Sequence, residues 1–148
     1  MISDTEPIQA DLETLIDCYG NSILRFCYLY LLDLEQAQNV VQEVFVRAYS
    51  HPDFAAKGLD EKKLLRITVH QCRKHPPRHT PTPAEEPILS AFQRMTTLER
   101  EITLLHYYMG LSLEDVASVS CLPVFVIKRF LSAGEHLLER CALDALTY

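Results

Sequence analysis

Tryptophan is missing from this chain of 148 residues, and glycine occurs only 4 times, too thinly spread to build a phosphate-cradling loop. The five cysteines, Cys18, Cys27, Cys72, Cys121 and Cys141, are odd in number and contain no C-x-x-C pair, which excludes a disulfide framework. No apolar run approaches the roughly 20 residues that a membrane span needs, so no membrane insertion is expected. Met1 to Ala10 has no basic start followed by an apolar stretch, and a cytoplasmic location is the expectation. Positive charge is also short: 14 Lys and Arg against 20 Asp and Glu leave a net charge of -6. An excess of that sign works against DNA binding by the chain alone, because neutralised phosphates supply most such affinity.

Catalytic and metal chemistry find little to work with. No Ser/His/Asp or Cys/His arrangement, paired carboxylates or glycine-rich loop can be picked out, so an enzyme is not expected. Cys72 with His70, His75 and His79 is the one cluster that could invite a metal, and its spacing matches no zinc knuckle. Neither metal nor cofactor is expected. Cys72 reads as an apolar-face residue, and His75 and His79 as linker.

Helical periodicity is abundant instead, and no period-2 alternation is long enough for a sheet. Leu12, Leu15, Ile16 and Tyr19 mark a first helix over about 8–19. Gly20 and Asn21 predict a break or bend before a second run over 23–32. The segment Asp33–Tyr49 is the clearest element: Ala37, Val40, Val41, Val44, Phe45 and Ala48 make one apolar stripe, with Asp33 as N-cap. Its other face carries Asn39, Gln42, Glu43 and Val46, a polar, partly acidic strip suited to a basic partner. Asp60 predicts the N-cap of a helix ending at His75, where Pro76 and Pro77 stop it.

The expected fold class is all-α, as two small helical domains joined by a Pro-rich linker, the second a helix-turn-helix. Residues 76–87 hold five prolines and form the linker between domains 1–75 and 88–148. Extended, that linker spans roughly 37 Å at about 3.1 Å per residue. Beyond it, Thr96 with Glu99 and Ser112 with Asp115 have capping-box spacing, Gly110 sits where a helix would end, and Pro123 opens the last long helix. Helix, turn, helix is the order of a module whose second helix enters the major groove.

Lys62, Arg66, His70 and Arg73 fall on one stripe of the 60–75 helix with Lys63 and Lys74 beside it, the clearest basic face in the chain. It suits a backbone track for single-stranded DNA or an ordinary solvated face.

A-x-x-V-V-Q-E-V-F-V-R-A-Y resembles the polymerase-docking helix of bacterial sigma factors of the extracytoplasmic-function (ECF) group. The run from Thr97 to Leu138 resembles the helix-turn-helix domain of the same family, in the family's order. That resemblance implies an initiation factor with core RNA polymerase and promoter DNA as partners, and an anti-sigma factor as a further possible one. It assigns polymerase docking to Asn39, Gln42 and Glu43, and minus-10 DNA to the Lys62, Lys63, Arg66, His70 and Arg73 face. His51 and Phe54, in the loop 50–59, become candidates for a flipped base. Lys128, Arg129 and Ser132 remain for upstream DNA.

The chain departs from the family in several places. Lys63 and His70 stand where relatives carry tryptophan and asparagine, Asn39 where many have aspartate, and Cys121 where the turn usually has glycine. Phe130, Ala133 and Glu135 occupy three arginine positions of the recognition helix. These losses leave a second reading open, a sigma-like interaction protein that binds polymerase or another regulator without reading promoters.

Overall fold

Seven α-helices make up the described part of the structure, a computed structural model that covers residues 5–52, 60–75 and 87–146, with side chains over 12–52, 60–75 and 89–141. They are α1 (Thr5–Leu31), α2 (Leu34–Ser50), α3 (Glu61–Arg73), α4 (Pro87–Arg94), α5 (Thr97–Thr103), α6 (Leu113–Ser120) and α7 (Val124–Leu146). No strand occurs among the described residues. Phe54, His79 and the linker segment 76–86 lie outside them.

Gly20 and Asn21 do not interrupt α1, which runs through both. The reason is energetic. An interior glycine costs roughly 1 kcal/mol, whereas burying a large apolar side chain is worth about 1.5–3 kcal/mol. A continuous helix keeps Leu15, Ile23, Phe26, Cys27 and Tyr30 in one buried register. It ends at Leu32, which takes a left-handed φ of 58° while its amide donates to the Tyr28 carbonyl at 2.7 Å.

The other start signals act as read. Asp33 accepts from the Gln36 amide at 3.2 Å and Asp60 from the Lys63 amide at 2.9 Å. Thr96 and Glu99 form a reciprocal capping box, and Ser112 accepts from the Asp115 amide at 3.2 Å. On α2 the buried set is Ala37, Val40, Val44, Phe45 and Ala48, and Val41 is half-buried beside it.

One feature is absent from the periodicity. After Thr103 the chain widens into a π-helical turn, Leu104–Tyr108, closed by the Leu111 amide on the Leu105 carbonyl and by Gly110 at φ 72°. The wider winding keeps Leu104 and Leu105 buried together and leaves Tyr107 and Tyr108 exposed.

In the second half α4, α5 and α6 all pack on α7. The α5–α7 approach is close because Gly134 faces Thr103: a Cβ there would lie 2.1 Å from Thr103 Oγ1. From α6 to α7 the direction turns by 104° across Cys121–Pro123, within the range of a helix-turn-helix. Cys121 holds the turn at φ 58°, ψ 42°. The first half packs α1, α2 and α3 together, and it touches the second chiefly through α3 against α6 and α1 against α4, α5 and the π turn. Buried residues of both halves belong to one apolar cluster.

Candidate nucleic-acid interface

The helix α2 presents Asn39, Gln42 and Glu43 to solvent, opposite its buried stripe. Val46 and Tyr49 extend that exposed strip with apolar surface. Glu43 also accepts from Arg47 one turn on at 2.9 Å, so its carboxylate is partly neutralised along the helix.

The basic face of α3 divides in two. Lys62 pairs with Asp115 of α6 at 2.9 Å, and that contact holds the aspartate below its ordinary carboxylate value. Arg66 donates through Nε to the Ser118 carbonyl at 3.3 Å and through Nη2 to the Ser118 hydroxyl. Arg73 clasps Glu101 of α5 with two bonds, Nε to Oε1 at 2.9 Å and Nη2 to Oε2 at 2.7 Å, and reaches the Ser120 carbonyl at 2.9 Å. Three cations of the stripe therefore bind the second half. His70 stays exposed, and Lys63 is half-buried.

Behind these contacts lies a polar seam that the periodicity did not single out. Glu101 is fully buried and accepts a 2.8 Å bond from the Tyr30 hydroxyl. Burial and the Glu101 charge push the Tyr30 phenol far above its ordinary value, and the bond to Glu101 raises the Arg73 guanidinium. Arg100, also buried, donates to the carbonyls of Tyr30, Phe92 and Met95, at the ends of α1 and α4. It thus caps two helix C-termini at once. Burial lowers its proton affinity. The sequence did carry a signal: Glu101 lies on the helical stripe of Leu98, Ile102 and Leu105, and a charge in a core register calls for a partner.

A cleft of about 440 Å³ opens between the end of α2 and α3, lined by Arg47, His51, Arg66, His70 and Gln71 among others. Gln71 is buried and its Nε2 has no hydrogen-bond partner. His51 and His70 are thereby brought to one cavity.

On α7, Phe125, Lys128, Arg129, Ser132 and His136 form the exposed stripe. Phe130 is half-buried against the core, Ala133 half-buried, and Glu135 bonded to the exposed Tyr107, whose phenol is raised by partial desolvation and that contact. Ile127 and Leu131 are buried, with Leu138 packed beside them. Cys72 sits buried against Cys27, and His75 is half-buried. Among the described residues no single helix is long and apolar enough to cross a membrane.

Among the described residues the chain is all-helical, with a solvent-facing α2 strip and a helix-turn-helix formed by α6 and α7. No family model matches the chain. It is 30% identical over 160 residues, 92% of this chain and 86% of the relative, to the probable RNA polymerase sigma-C factor of Mycobacterium bovis. The ECF RNA polymerase sigma factor SigC of Mycobacterium tuberculosis matches with the same identity and coverage. This chain belongs to the ECF sigma factors.

Solved structures share its fold. One is CnrH in complex with the cytosolic domain of CnrY, with TM-score 0.73, 22% identity, and 93% of this chain and 90% of that chain covered. Another is the sigma factor RpoE with the anti-sigma factor NepR from Bartonella quintana, with TM-score 0.71, 18% identity, and 89% and 96% covered.

Proposed function

We propose that this chain binds core RNA polymerase and directs promoter-specific initiation, as a regulatory protein rather than an enzyme. The observation that carries the reading is the α2 strip: Asn39, Gln42, Glu43 and Val46 stay in solvent on a helix whose opposite face is buried. Residues 1–75 act as the polymerase-docking and promoter-melting domain, 88–148 as the upstream reader, and 76–87 as the tether.

In that division of labour the cleft beside His51 and His70 takes an extruded base, with the unpartnered Gln71 Nε2 offering a donor to its edge. Phe54, Lys63 and the α3 cations hold the flanking strand. Lys128, Arg129 and Ser132 on the exposed stripe of α7 face duplex DNA. Lys62, Arg66 and Arg73 are occupied by the second half here, so engagement of DNA requires the halves to part. The complexes of CnrH and of RpoE with their partners support an anti-sigma factor as a further partner.

The test is co-purification with core polymerase. Glu43→Arg reverses charge at an exposed position and is expected to abolish pull-down while helicity is unchanged, a loss of about 1–3 kcal/mol. Equal pull-down by the variant would refute the docking face. A second reading, binding to polymerase without promoter reading, draws on Phe130 and Glu135, both engaged within the fold at positions where relatives carry arginine. Run-off transcription with core polymerase separates the two.

A further inference from the structure

Cys27 of α1 and Cys72 of α3 bring their sulfur atoms to 3.7 Å, both side chains fully enclosed. Each neighbours the seam between the halves: Tyr30 lies one turn from Cys27, and Arg73 follows Cys72 in sequence. A disulfide sulfur pair stands about 2.05 Å apart, so bonding needs a closure of roughly 1.7 Å, within the 1–2 Å by which packed helices slide.

From this geometry we infer that Cys27 and Cys72 are an oxidisable pair, which a peroxide-class oxidant converts to a disulfide stapling α1 to α3, at a rate governed by the clasp between the two halves. The chemistry balances. One thiolate attacks a peroxide oxygen, the O–O bond breaks, and a sulfenic acid and water result. The second thiolate attacks that sulfur, the S–O bond breaks, and the S–S bond forms with release of a second water. Two thiols lose two protons and two electrons, and the peroxide takes up both.

The clasp sets the rate for two reasons. With Glu101 seated, the Cys27 contact first, then burial and the Glu101 charge push the Cys72 thiol well up, so little thiolate exists to attack. When the halves part, Glu101 leaves with α5 and water gains access, so the Glu101 charge and the burial are relieved while the Cys27 contact stays. The pair thereby responds to the open state, in which α3 is free for DNA. The exposed Cys18 and Cys121 meet oxidant in either state and belong to no such pair.

The test uses the full chain with Cys18→Ser and Cys121→Ser, treated with hydrogen peroxide, quenched with a thiol-alkylating reagent and digested without reductant. A Cys27–Cys72 linked peptide is expected, reversed by dithiothreitol and missing from Cys27→Ser. Lys62→Ala with Arg66→Ala removes two exposed holds on α6 without touching either sulfur, and linkage is expected to form several-fold faster in it. No linked peptide in either protein would overturn the pair. Equal rates in the two would overturn its control by the clasp.

Discussion

Arg73 closes on Glu101 across 28 positions of chain, two guanidinium nitrogens, Nε and Nη2, bonded to a carboxylate that solvent does not reach. Removing one partner of such a pair strands the other charge in the interior, which costs about 3–5 kcal/mol. Arg73→Met therefore should lower unfolding free energy by about that amount, read by urea denaturation. A change below about 1 kcal/mol would mean that water already solvates Glu101.

The Tyr30 phenol gives this seam a dependence on pH. Its proton is held far above the ordinary value of 10.0, by burial first and Glu101 second. A group raised in the folded state contributes fully below its unfolded value and loses that contribution as pH rises beyond it. Stability should thus fall steeply above about pH 10, and Tyr30→Phe should flatten that limb. Denaturant midpoints on either side of that pH, in both proteins, measure the difference.

Gly134 and Thr103 set how near α5 and α7 can lie. Gly134→Ala places a methyl 2.1 Å from Thr103 Oγ1, an overlap expected to cost about 1–3 kcal/mol in thermal or chemical unfolding. Thr103 Oγ1 is itself buried with no partner. Adding Thr103→Ala should recover part of the loss, and a strictly additive double mutant would contradict the contact.

Cys121 is the residue that turns α6 into α7, in a left-handed conformation that strains an L side chain by roughly 1 kcal/mol. Cys121→Gly relieves that strain while freeing the unfolded chain, so a net gain of about 0.5 kcal/mol is expected as a higher melting temperature. An unchanged or lower value would show that the freed backbone offsets the relief entirely.

Much of the architecture was legible because short-range rules govern it. The stripe Ala37 to Ala48 and the caps Asp33, Asp60, Thr96 and Ser112 depend on neighbours within one or two turns. Gly20 misled for the same reason, since local propensity there loses to the burial of Ile23 and Phe26. The fate of the α3 cations was hidden. Lys62, Arg66 and Arg73 share a stripe in any helix, yet their partners Asp115, Ser118 and Glu101 lie in segments that only tertiary packing brings near. On α7, the resemblance marked Phe130 and Glu135 as arginine positions lost to DNA and left Lys128, Arg129 and Ser132, which lie on the exposed stripe with Phe125 and His136, whereas Phe130 and Glu135 are half-buried.

Arg100 ties the ends of α1 and α4 together through three carbonyl oxygens. A joint made this way is directional, unlike one made of grease. Bonds to fixed oxygens reward one relative placement of the two halves and tolerate few others, so a separated pair rejoins in register. Its faces, once parted, present charges and carbonyls that water can satisfy, which limits the pull toward clumping with other copies. For the proposed parting of the halves, a joint that water can satisfy is one that can close again.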